Sequence, residues 1–267
     1  MLFINKRSTK LKEFFFNVVG LFKAVEVCFK TLSLAVAAVF VLAGCGGGGS
    51  EESAVTNEPP TDRNISFRIF PSDFFDLGYT ENYALSGTLK PFGSENTEVI
   101  TGRLNAKAVG LVTFNSFQAQ SFYMTTNLRS TQVGLLLTGS STGYYSTDIN
   151  SIRKLGSQGN GVQTTANSNS VIPLNAKIGS FGPVGEYVNT ANYEVLTARW
   201  ELLDGFSGKA KLCYTYTTVT SEFDSDIVSV SEECQLITTQ GKRLSMTIEG
   251  TNYEKRYGLK LSGSREE

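Results

Sequence analysis

Lys209-Ala210-Lys211-Leu212-Cys213-Tyr214-Thr215-Tyr216-Thr217-Thr218-Val219 and Ile227-Val228-Ser229-Val230-Ser231-Glu232-Glu233-Cys234-Gln235-Leu236-Ile237-Thr238 are two runs rich in β-branched and aromatic residues. Between them lies Ser221-Glu222-Phe223-Asp224-Ser225-Asp226. The runs read as the arms of an antiparallel hairpin and the polar stretch as its turn. A turn centred between Phe223 and Asp224 sets Cys213 directly opposite Cys234. Opposed strand positions hold their β-carbons near disulfide spacing, so a bridge between these two cysteines is expected in an oxidising compartment. Closing a loop of this length contributes roughly 3 kcal/mol. Glu232 and Glu233, as neighbours on a strand, are expected on opposite faces, so they cannot jointly hold a substrate.

Working outward, the same period of two recurs. Ile65, Phe67 and Ile69 alternate with polar neighbours, as do Tyr83, Leu85, Gly87 and Leu89. Further candidate strands run from Glu98 to Leu104, Gln120 to Leu128, Gln132 to Leu137, Thr142 to Ser146 and Tyr193 to Leu203. The chain closes with Leu244, Met246 and Ile248, then Tyr253, Tyr257, Leu259 and Leu261. No helical period of ten residues interrupts them. The expected fold is all-β: an antiparallel sandwich, open barrel or long meander of about ten strands. Residues 156–172 are polar and turn-rich and read as a loop dividing two β-rich halves, 64–155 and 173–267. Trp200, sharing a face with Leu196, Ala198 and Leu202, is the expected core anchor.

Composition excludes several function classes. The chain has 24 basic and 25 acidic residues and no histidine. Without histidine, the commonest general base and zinc ligand is missing. The first 44 residues hold six of the bases and two of the acids, which leaves 18 bases against 23 acids in the remainder. A mildly acidic body lacks the clustered basic face that nucleic acid requires.

The N-terminal segment carries an address. Thr31 to Gly44 is an uncharged, mostly apolar run ending in Leu42-Ala43-Gly44-Cys45. It has the length of a signal-peptide core and is short for a membrane span. The tetrapeptide resembles the lipobox of bacterial lipoproteins. That resemblance implies a signal peptide over 1–44, a lipid on the Cys45 thiol and attachment to a membrane through it. Gly46 stands where an inner-membrane retention aspartate occurs in enteric lipoproteins, which favours the outer membrane. Residues 45–63, beginning Gly46-Gly47-Gly48-Gly49-Ser50 and passing through Pro59-Pro60, read as a flexible tether. About twenty such residues give an r.m.s. reach near 25 Å.

Motifs for catalysis are weak. Gly139-Ser140-Ser141-Thr142-Gly143 matches a nucleophile elbow, yet it sits between strand-like runs and has no histidine to serve it. Ser151-Ile152-Arg153-Lys154 matches an acyl-transfer pair without the companion motifs. Asp73 with Asp76, and Asp224 with Asp226, lack calcium-loop spacing. No catalytic residue, metal ligand or cofactor is assigned. Phe74, Phe75, Tyr79, Tyr83, Phe122 and Tyr123 are expected mainly in the core. Phe114 and Phe117, in Phe114-Asn115-Ser116-Phe117, form a candidate contact patch on a loop. The expectation is a lipid-anchored envelope protein with a non-catalytic binding or structural β module, whose partner is an envelope protein, glycan or lipid. The alternatives are an anchored hydrolase using carboxylates and a carrier of an apolar ligand.

Overall fold

Alternation of the kind seen from Tyr83 to Leu89 recurs in many of the fourteen strands of the computed structural model, which describes residues 58–130, 136–159, 161–220 and 226–266. Cys45, the expected signal peptide over 1–44, the expected tether as far as residue 57 and the Phe223-Asp224 turn centre lie outside the described residues. In chain order the strands are β1 (Ser66–Arg68), β2 (Thr80–Pro91), β3 (Glu98–Phe114), β4 (Phe117–Ser130), β5 (Leu136–Tyr145), β6 (Lys154–Gly159) and β7 (Val162–Asn169). Then follow β8 (Asn175–Lys177), β9 (Phe181–Asn189), β10 (Val195–Asp204), β11 (Ala210–Val219), β12 (Ile227–Ile237), β13 (Arg243–Asn252) and β14 (Tyr257–Glu266). Twelve of them close an antiparallel barrel in the order β10-β11-β12-β13-β14-β2-β3-β4-β5-β6-β7-β9, while β1 and β8 pair separately. Closure leaves the barrel no unpaired edge.

The expected all-β antiparallel class is therefore found, as a closed barrel. The dividing loop is not. Residues 156–172 carry most of β6 and all of β7, which pair with each other and link β5 to β9 in one continuous wall. Small polar residues look turn-like in isolation, but here both flanks of each strand are paired, and the ladder overrides composition. The proposed hairpin is found in register, with Cys213 opposite Cys234. The two are joined as a disulfide with Cα atoms 4.0 Å apart. Trp200 is buried among core residues of β9 to β11.

Close approach of neighbouring backbones shapes the wall. A Cβ at Gly102 would stand 1.9 Å from the Asn127 carbonyl oxygen, and one at Gly87 equally close to that of Lys260. Only glycine permits the sheet to bend so tightly at these points. The β3–β4 hairpin turns through Asn115 (φ 47°) and Ser116 (φ 68°), a two-residue turn of the kind that matches strand twist. Phe114, expected in an exposed patch, is instead buried and stacks on Tyr144 with ring centroids 4.0 Å apart. Phe117 is 69% exposed.

Outward-facing positions include polar and charged residues, Asn82 and Lys90 on β2, Arg103 and Lys107 on β3, Arg199 on β10 and Lys260 on β14, and exposed apolar ones, Val99, Val109 and Leu111 on β3 among them.

A twelve-stranded barrel has a wider lumen than the eight-stranded kind that side chains alone can fill. The segment after β1 supplies the missing bulk. Ile69 donates its N–H to the Leu174 carbonyl (2.8 Å) and Arg68 to that of Thr239 (3.0 Å). From there Phe70 and Phe74 reach into the barrel. Phe74 stacks on Phe122 at 4.5 Å and meets Phe70 at 5.1 Å. Ahead of this plug, Thr61 is held at the β10–β11 turn. Its N–H donates to Asp204 Oδ1 (3.2 Å) and its hydroxyl to the Lys209 carbonyl (2.9 Å).

Candidate lumen site

Beneath the plug, the mainly apolar inward face of the wall carries a cluster of four charged residues, Glu81, Lys154, Glu233 and Arg243. Alternation along β2 brings Tyr83 and Glu81 to the lumen. Both Tyr79, at the end of the plug, and Tyr83 donate their hydroxyls to Glu81, at Oε1 and Oε2 respectively, the latter at 3.0 Å. Arg243, at the start of β13, places Nε 3.4 Å from Glu81 Oε1. The Arg243 guanidinium also lies over the Phe74 ring at 4.9 Å, so plug and wall are joined by one cation. The Arg243–Glu81 contact is an ion pair by distance and not a hydrogen bond by geometry, because Nε itself has no hydrogen-bond partner.

A second set lies across the lumen. Glu233 on β12 accepts a hydrogen bond from Gln235 Nε2. Lys154, at the start of β6, is 8% exposed and holds its ammonium over the rings of Tyr187 (5.5 Å) and Tyr216 (5.6 Å). Burial lowers the Lys154 pKa to about 8 against the pull of Glu233. Burial likewise raises the Glu233 carboxyl above its ordinary range, opposed by Arg243 and by the Gln235 amide. Tyr145, Tyr187 and Tyr214 are also pushed up, in each case chiefly by burial, with Tyr145 reaching about 12. At neutral pH the lumen is thus lined by protonated phenols.

These groups surround a cavity of about 80 Å³ lined from nine of the barrel strands and roofed by Phe70 and Phe74. That is room for several waters, or for one small solute of about five heavy atoms. Three polar atoms of its lining are buried without a hydrogen-bond partner: Ser141 Oγ, Gln235 Oε1 and Arg243 Nε. Each such orphan costs about 1–3 kcal/mol if nothing fills the space.

The residues singled out from the sequence scatter around this site. Ser141 is not on an elbow; it sits mid-strand in β5 facing the lumen. Lys154 enters the lumen while Ser151 stays in the β5–β6 connection, its carbonyl accepting from the Ser146 hydroxyl. Glu233 points inward and Glu232 lines an outer groove, as their adjacency on a strand requires. Asp73 and Asp76 are exposed on the plug. Glu81, Gln235 and Arg243 were not anticipated. A charged residue at an alternating position is ordinarily assigned to solvent, and only closure of the barrel reverses that. Cys213, Glu232 and Cys234 lie close together, but both sulfurs are committed to the disulfide.

No family model matches the chain, and neither the curated proteins nor the solved structures contain a match to it.

Proposed function

We propose that this is a lipid-anchored bacterial envelope protein whose barrel is a non-catalytic binding module. The anchor is the lipid on Cys45, which follows Leu42-Ala43-Gly44, and Gly46 favours the outer membrane. The tether then enters the ordered body at Pro59, whose carbonyl accepts the Ser207 N–H at the β10–β11 turn. The observation that carries the binding reading is the set of unpartnered polar atoms around the lumen cavity. A lumen serving stability alone would gain by filling that space with apolar side chains, since buried charge is costly.

Two alternatives have less support. An apolar cargo would meet Lys154, Arg243, Glu81 and Glu233 in a space of about 80 Å³. For hydrolysis by paired carboxylates, Glu81 already has both oxygens engaged by phenols.

Metabolic labelling with an alkyne fatty acid, followed by fractionation of the envelope, tests the anchor. Label on the wild-type protein and its loss in Cys45→Ala are expected. Equal labelling of both would overturn the assignment.

A further inference from the structure

The lumen cavity offers more hydrogen-bonding capacity than its own wall uses, and the surplus has a pattern. On the donor side are the Ser141 hydroxyl and the Arg243 Nε–H, the latter ion-paired to Glu81 at 3.4 Å without a hydrogen bond, with the Lys154 ammonium over its two tyrosine rings beside them. On the acceptor side are Gln235 Oε1, which has no partner, and the Glu233 carboxyl, which accepts one hydrogen bond from Gln235. All five residues line the one cavity.

We propose that the cavity binds a small carboxylate that also carries a hydrogen-bond donor, a hydroxy acid or amino acid of two or three carbons. The carboxylate answers the donors. Among the described residues the ion pairs within 4.0 Å involve Arg103, Arg243 and Lys260, so Lys154 is enclosed without a carboxylate in salt-bridge contact. The opposite charge that acts on the Lys154 ammonium is Glu233, beyond salt-bridge distance, and a solute carboxylate supplies a direct counter-ion. The hydroxyl or ammonium of the solute answers Gln235 Oε1 and Glu233, which a plain carboxylate leaves unmet. Size sets the upper bound: about five heavy atoms fit. Aromatic walls from Phe74, Phe122 and Tyr145 close the space around the carbon skeleton.

The proposal takes its place in the lumen from the binding-module reading and is independent of the anchor. Its test uses the full-length protein in detergent, equilibrated for hours with ¹³C-glycolate or ¹³C-glycine and, in parallel, with ¹³C-acetate. Bound label is then counted after rapid desalting. Saturation at one glycolate or glycine per chain is expected, with acetate weaker by about tenfold, the equivalent of one lost hydrogen bond in a dry site. Lys154→Met should abolish retention. Ser141→Ala, which removes an orphan hydroxyl and leaves the ion pairs alone, should weaken it by about tenfold without loss of thermal stability. Absence of saturable retention of either probe means that the cavity holds water only and overturns the proposal, as does retention unaltered in Ser141→Ala. Loss of probe binding with intact acylation of Cys45 removes the ligand and leaves the anchored protein; loss of acylation with binding intact does the reverse.

Discussion

Glu232 and Glu233 are adjacent in the chain and occupy different media. Glu232 lies on the outer wall among Lys260, Glu249 and Thr251, in a groove open to water. Glu233 lies inside, tied to Gln235 and facing Lys154 and Arg243. The outer face carries charge as ordinary globular surfaces do, singly and solvated, with pairs such as Lys260–Glu249 at 3.3 Å between exposed side chains. The inner face carries it in a closed space, where every charge needs a partner and burial shifts its proton affinity. One wall thus has two electrostatic regimes about one strand's thickness apart, and the same substitution should have a different cost on each side.

The largest effect is expected from Arg243→Met. It leaves Glu81 buried with phenol partners alone and removes the cation that holds Phe74, and should cost about 3–5 kcal/mol in urea unfolding. A cost below about 1 kcal/mol would mean that the lumen solvates charge as the outside does.

Next is the disulfide, whose sulfurs project from the outer face between Leu212 and Tyr214 and yet are fully covered. Cys213→Ser with Cys234→Ser should cost roughly 3 kcal/mol, the loop entropy of 21 residues of separation. Full retention of stability would show that neighbouring ladders already hold this hairpin.

Lys154 gives the comparison a pH axis. Its folded pKa of about 8 lies below that of the unfolded chain, so between pH 8 and 10 the unfolded state holds a proton that the folded state has released. Stability from this residue is therefore lost as pH falls through 8 and gained as pH rises. Relative to Lys154→Met, the wild-type protein should gain up to about 1.4 kcal/mol per pH unit across that window. Above pH 10 the raised phenols act oppositely, since the unfolded tyrosines ionise first and stability falls. A flat difference between pH 8 and 10 would place Lys154 in contact with bulk water.

The smallest effect belongs to the outer pair Arg103–Glu266, 3.2 Å apart with the arginine side chain 66% exposed. Arg103→Ala should change stability by no more than about 1 kcal/mol, and less at high salt. A larger loss would erase the distinction between the two faces.

How much of this could be read beforehand depends on the range of the interaction. The Cys213–Cys234 register followed from a local turn and two strong strand signals. Burial of Trp200 followed from one apolar face. Residues 156–172 were misjudged because Gly, Ser, Thr, Gln and Asn have no apolar alternation to betray a strand; β6 and β7 exist because β5 and β9 supply partners on either side. Phe114 reads as a loop residue in the sequence because nothing local reveals that Tyr144 will lie against it. The site was the least legible part, since Glu81 and Arg243 are 162 positions apart and meet only when β14 pairs with β2.

By itself, then, the chain determined that strands form, which residues share a face and which cysteines meet, because period and turn chemistry act over a few residues. Only the tertiary structure decided which face is inside. In this closed wide barrel the inner face stays mainly apolar, with Leu85, Leu104, Trp200 and Leu202 in the core, and a plug drawn from the segment before β2 fills what side chains alone cannot. Closure also carries Glu81, Lys154, Glu233 and Arg243, polar positions expected in water, into the lumen among phenols and unpartnered atoms.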